Sequence, residues 1–147
     1  MSAAEDRGLQ AVSRVRAVRE RDSRLGLQQA IVEQRQHEQA VADLEQSVRE
    51  HGSRVVTDAA QFVALRASLA ALTDAASHRR GEADQAAVVR SSADAHWHSH
   101  KTRLSAVDNL LESRVDERRA VDAHDEAREL DEVAGRLWLR RTAGGRS

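Results

Sequence analysis

Through the middle of the chain an apolar side chain returns every seventh residue: Val41, Val48, Val55, Phe62 and Leu69, with Leu44, Leu65 and Leu72 three places further on. A seven-residue repeat separated by polar residues lays one narrow apolar stripe along a helix, which is the seam of a coiled coil. Upstream, Leu9, Val12, Val15 and Val18 lead to Leu25, Leu27, Ile31 and Val32, spacings that keep an apolar flank on one helix. The nine-residue step from Val32 to Val41 predicts a stutter that locally unwinds the supercoil. Downstream, Trp97, Leu104 and Leu111 repeat at seven with Val107 between them, and Val121, Leu130, Val133 and Leu137 carry the stripe toward the C-terminus. Glu20 to Arg24, Glu45 to Arg49, Glu50 to Arg54 and Glu132 to Arg136 are acid-first pairs four residues apart, each adding a few tenths of a kcal/mol to an exposed helix.

Two segments carry turn signals. At His51-Gly52-Ser53 a glycine suited to a left-handed helix end precedes Asp58-Ala-Ala-Gln61, a capping-box pattern. From Thr73 to Glu82 the apolar period lapses and Gly81 falls. Because the heptad stays in phase through Gly52, whose cost inside a helix is only about 1 kcal/mol, the reversal is expected at 73–82. The resulting expectation is an all-α, long antiparallel two-helix coiled-coil hairpin: a single domain over 1–147, with helix 1 over 7–73 and a break at 52–57. Helix 2 then spans 83–141, before a flexible tail at 142–147. Helices of sixty-odd residues would make an elongated rod roughly 90 to 100 Å long.

Composition narrows the picture. The chain has no proline, where average usage of about 5% would supply about seven. Charged residues at 32%, aromatics at 2% and a mean hydropathy of −0.64 leave little material for a globular core but enough for a narrow stripe. With no cysteine there is no disulfide framework, thiolate metal site or cysteine nucleophile, and no apolar run has the length of a membrane span or signal peptide. A net charge of −1 argues against bulk attraction to nucleic acid or an anionic membrane. His96 and His100 lie one helical turn apart at chelating spacing, but a third ligand would have to be His51 across the hairpin, so no metal or cofactor is expected. His124-Asp125-Glu126 is not a zincin motif. No glycine-rich phosphate loop and no strand to raise a nucleophile is present, and an enzyme is not expected.

Glu117-Arg-Arg, and then Glu126-Ala-Arg-Glu-Leu-Asp-Glu-Val-Ala134 followed by Arg136, resemble the closing charged signature of the flagellar export protein FliJ family. Val12, Val15, Arg16, Val18, Arg19 and Glu20 are similar to that family's opening hydrophobic-plus-arginine helix. Leu9 stands where the family often has phenylalanine, and arginine replaces most of the usual lysine. The resemblance implies a cytoplasmic protein, peripheral at the inner face of the cell membrane and not inserted in it. It implies a stalk-like hairpin of the flagellar type III export apparatus that associates with the export ATPase ring, the export gate and export chaperones and does not bind nucleic acid. A structural scaffold outside secretion, or the equivalent stalk of a virulence type III system, is the alternative.

Two surfaces follow as candidates. Residues 1–24 and 135–147 together carry ten arginines against four acids. In an antiparallel hairpin these segments would share one end, giving a basic tip with Arg16, Arg19, Arg136, Trp138, Arg140 and Arg141 toward the ATPase ring. The resemblance also makes Phe62, Leu65, Leu69 and Leu72 a docking surface for the export gate, while their heptad positions favour seam packing; burial is expected for Phe62 itself.

Overall fold

The computed structural model of the protein describes residues 3–145, with side chains from Asp6 onward. Helix α1 is Ala3–Gly52, 50 residues, and α2 is Ala59–Gly144, 86 residues; no strand occurs among the described residues. The fold is all-α, as the heptads predict, with the two long helices packed against each other.

The reversal lies at 53–58 and not at 73–82, which is continuous α2. Local hydrogen bonds account for this position. Three of the last four carbonyls of α1 find donors: the Ser53 N–H on Arg49 at 3.1 Å, the Arg54 N–H on His51 at 3.3 Å and the Ser53 hydroxyl on Glu50 at 2.9 Å. Gly52 ends the helix without entering the left-handed region. Asp58 then caps α2, its Oδ1 accepting the Ala60 N–H at 3.0 Å and its carbonyl accepting the Phe62 N–H at 3.0 Å. Helix 1 therefore stops 21 residues before the expected residue 73, and the stripe read along one helix is two stripes that face each other. Val55 falls in the connection and is 91% exposed. The expected tail at 142–147 is also corrected, since α2 continues to Gly144; residues 146 and 147 lie outside the described residues.

The chain forms two compact units. In the unit Val15–Arg103 the helices run antiparallel, shown by Glu45 beside Arg80, His37 beside Glu82, Gln34 beside Arg90 and Glu20 beside Trp97. Near the connection the half-buried positions are Val41, Leu44 and Val48 on α1 and Leu65, Leu69 and Leu72 on α2, followed by Ala76 at 2% exposure. Farther along α1 the same three-and-four spacing continues without a stutter through Arg16, Glu20, Ser23, Leu27, Ala30, Gln34 and His37, all buried or half-buried. This corrects the expected apolar flank: Val15, Val18, Leu25 and Val32 are exposed, and polar residues occupy much of the seam in their place. A stiff helix with 3.6 residues per turn keeps one face toward its partner whatever that face contains, so the register set at Val41 and Val48 carries back to Arg16.

In the other unit, formed by residues 1–14 and 104–147, Asp6 is 8% exposed and sits between two guanidiniums of α2. Its Oδ1 lies 3.4 Å from Arg114 Nη1, and its Oδ2 pairs closely with Arg118. The Ser13 hydroxyl donates to Asp108 at 2.7 Å, and Leu9, Leu104, Val107, Leu111 and Val115 are half-buried. From Asp116 to the last described residue α2 is exposed throughout.

Of the expected acid-first pairs only Glu132 to Arg136 is made, at 3.3 Å. Glu45 turns to Arg80 at 2.5 Å and Glu20 accepts from Trp97 Nε1 at 2.9 Å, both across the seam. The exposed face of α1 is laced instead by Gln29 to Glu33, Gln34 to Glu38, Gln39 to Asp43 and Gln46 to Glu50, at 2.7 to 3.0 Å.

Candidate functional site

The segment expected at the export gate opens α2. Asp58 starts the helix, so Leu65, Leu69 and Leu72 point at α1 and are half-buried, while Phe62 lies in the first turn. Phe62 is 55% exposed, against the expectation of burial, and Val63 beside it is also exposed. The reason is the connection: at the very start of α2 the facing element is the end of α1 and an irregular stretch, which leaves one side of the ring open. His51, Arg54, Val55, Val56, Leu65 and Ser68 line a shallow groove next to it. The four residues thus divide into three seam leucines and one accessible aromatic.

The expected basic tip does not assemble. Asp6 of α1 meets α2 at Arg114 and Arg118, and α2 runs a further eighteen residues before it reaches Arg136. Within the unit formed by residues 1–14 and 104–147, Arg7 therefore does not share an end with Arg136, Arg140 and Arg141. Arg16 enters the seam, half-buried, with Nη1 buried and without a hydrogen-bond partner; Arg19 is exposed. Trp138, Arg136, Arg140 and Arg141 form their own exposed cluster on α2, with Leu137 and Leu139. The expected tip requires helices of similar length, and α1 and α2 differ, at 50 and 86 residues.

His96 and His100 do share a face, their ring centroids 4.6 Å apart in an edge-on arrangement. His51, the one candidate for a third ligand, lies at the end of α1 with Nδ1 2.9 Å from the Ser47 carbonyl, and no group of three metal-ligating side chains occurs among the described residues. The His100 pKa is lowered by burial first, then by His96, Arg103, Arg19 and Arg16. His100 is thereby held toward its neutral form in this layer of the seam, beside His96 and the guanidiniums of Arg16, Arg19 and Arg103. Trp97, which sequence reasoning counted only as a seam residue, ties the layer together: its indole donates to Glu20 and Lys101 Nζ sits 4.9 Å above its ring. Another seam residue with a role the heptads hide is Glu82, which meets His37 at 3.7 Å on α1, and His78 at 3.4 Å and Arg79 at 2.8 Å on α2.

No helix among the described residues is long and apolar enough to cross a membrane. What the geometry offers is therefore surface: an accessible phenylalanine at the connection, and a basic, tryptophan-bearing stretch on the last turns of α2. No curated protein and no solved structure matches the chain. The family model described as flagellar FliJ protein matches residues 6–143, nearly the whole of both helices, and the chain belongs to that family.

Proposed function

We propose that this protein, a flagellar type III export component by its family, is the coiled-coil stalk that links the export ATPase ring, the export gate and export chaperones at the cytoplasmic face of the membrane. The observation that carries this reading is the division of apolar side chains between seam and surface. Leu65, Leu69 and Leu72 hold α2 to α1, while Phe62 and Trp138 stand 55% and 64% exposed. Large exposed aromatics are the usual anchors of protein interfaces.

The two surfaces suit different partners. Arg136, Arg140 and Arg141 make the turns of α2 that carry Trp138 basic, which steers a helix end toward an acidic opening such as an ATPase ring and fixes its orientation. Phe62 and Val63 are exposed apolar side chains beside each other at the start of α2, and such a pair suits the export gate. Arg16 has no part in the ring contact under this reading, since it is committed to the seam. The protein does no chemistry of its own here; it transmits position between partners.

The test is capture of the flagellar export ATPase by the purified chain at moderate salt. Arg136→Glu, Arg140→Glu and Arg141→Glu together should abolish capture and reduce motility with helicity unchanged, and Phe62→Ala should spare ATPase capture but lose the export gate. Normal binding of both partners by both variants would end the proposal.

A further inference from the structure

The last stretch of α2 has the pattern of a coiled-coil strand but no partner within the described chain. Asp6 lies against Arg114 and Arg118, so within this unit none of residues 6–14 accompanies the helix from Ala123 onward. Over those 22 residues to Gly144, about 33 Å of helix, the apolar period does not stop. Leu130, Val133 and Leu137 share one face with Ala123, Ala127 and Ala134, and Leu130 is 70% exposed, with Val133 and Leu137 more than half exposed. A helix of this length draws most of its stability from packing an amphipathic face, and here that face is bare.

The charges beside the face say what fits it. Asp122, Asp125, Glu129, Glu132, Arg136 and Arg140 follow each other at steps of three and four, and so form one row along the flank of the apolar face. The row is acidic for its first four members and basic for its last two. Residues 133–144 contain Arg136, Arg140 and Arg141 and no acid, whereas residues 119–132 contain six acids and two arginines. Charge that reverses along a single flank is complementary to itself when two copies run antiparallel, because such a pair sets the same flank of both helices side by side in opposite directions. A parallel pair would set this row against the opposite flank of its partner and would not use that complementarity. The intrahelical contact of Glu132 with Arg136 is an exposed pair that contributes little and does not hold Arg136 back.

We infer that two copies of this chain associate through residues 120–141 of α2, packed antiparallel on Leu130, Val133 and Leu137, with Arg136 and Arg140 of one copy against Asp122, Asp125 and Glu129 of the other. The association is driven by apolar burial and directed by charge, so it strengthens with concentration and weakens with salt.

Sedimentation equilibrium of the isolated full chain tests it without any secretion partner. At low salt and rising concentration the mass should move from 16.2 kDa toward twice that value. Leu130→Arg with Leu137→Arg should hold the chain monomeric, as should Arg136→Glu with Arg140→Glu, while circular dichroism remains helical. Mixing that charge variant with Asp122→Arg, Asp125→Arg, Glu129→Arg should restore the dimer mass. The chain has no cysteine, so single introduced thiols report direction: Ala123→Cys should cross-link to Leu137→Cys and not to itself. A chain that stays monomeric at every concentration overturns the inference, as does a dimer indifferent to the charge variants. Self-linking of Ala123→Cys overturns the antiparallel arrangement.

Discussion

Two stretches of one seam, both within Val15–Arg103, share a spacing and differ in substance. Near the connection, Val41, Leu44 and Val48 face Leu65, Leu69 and Leu72, and Ala76 is nearly fully buried. Around Trp97, the equivalent places hold Arg16, Glu20 and Ser23 against Ala93, Trp97 and His100, and both Arg16 Nη1 and His100 Nδ1 are buried without a partner. The first stretch closes by removing apolar area from water, at about 25 cal/mol per Å². The second closes because the helices are stiff and already joined, and its polar groups are held by specific contacts such as Trp97 to Glu20. Apolar layers supply stability, and polar layers set register while remaining easier to open.

The largest effect should come from the apolar stretch. Leu69→Ala is expected to cost about 2 kcal/mol, the low end for a leucine truncation because the site is half-buried, measured by urea denaturation. A loss below about 0.5 kcal/mol would mean that this stretch is not the one that holds the helices together. Trp97→Ala is expected to cost somewhat less, about 1.5 kcal/mol, through lost packing and an unpaired Glu20 in a half-buried site. If it exceeded Leu69→Ala, the polar layer would be the stronger of the two.

Smaller effects sharpen the contrast. Arg80→Ala removes the contact with Glu45 between two largely exposed groups and should cost under about 1 kcal/mol, with the difference vanishing at high salt. Phe62→Ala should lower stability by no more than about 1 kcal/mol because the ring is over half exposed, and its consequence should be read in partner binding. His100 offers the smallest test and one with a sign. Its folded pKa is lowered, so the unfolded chain takes up a proton more readily; stability is full above the ordinary value of 6.5 and falls as the pH drops through it toward the lowered value. His100→Gln should therefore flatten the decline in melting temperature between about pH 7.5 and about pH 5.5. An unchanged slope would remove His100 from the acid response of the polar layer.

Much of this was legible in the residues. Absent proline and the sevenfold return of Val41, Val48, Leu69, Trp97, Leu104 and Leu111 determined helix and coiled coil, because those properties follow from local spacing alone, and the turn signals between them pointed to an antiparallel pair. The residue pattern of the family was likewise visible at both ends of the chain. The candidate export-gate segment was only half legible: Leu65, Leu69 and Leu72 sit at seam positions as their spacing requires, but whether Phe62 is covered depends on what faces the first turn of α2.

What tertiary structure decided was where the chain turns and which face is inside. Periodicity cannot tell a seam that continues along one helix from a seam handed to the facing helix, since both obey a step of seven; Val55 and Phe62 fall in phase either way. The hydrogen bonds of Ser53 and the cap at Asp58 settle the reversal. Once it is placed there, α1 and α2 must differ in length, and the last turns of α2 run on past the Asp6 contact without residues 6–14 beside them. The valines at 15, 18 and 32 stay outside for the same reason. Two rigid helices in register bury every seventh and intervening third or fourth residue along their contact, and an apolar flank on another face has no means of turning inward.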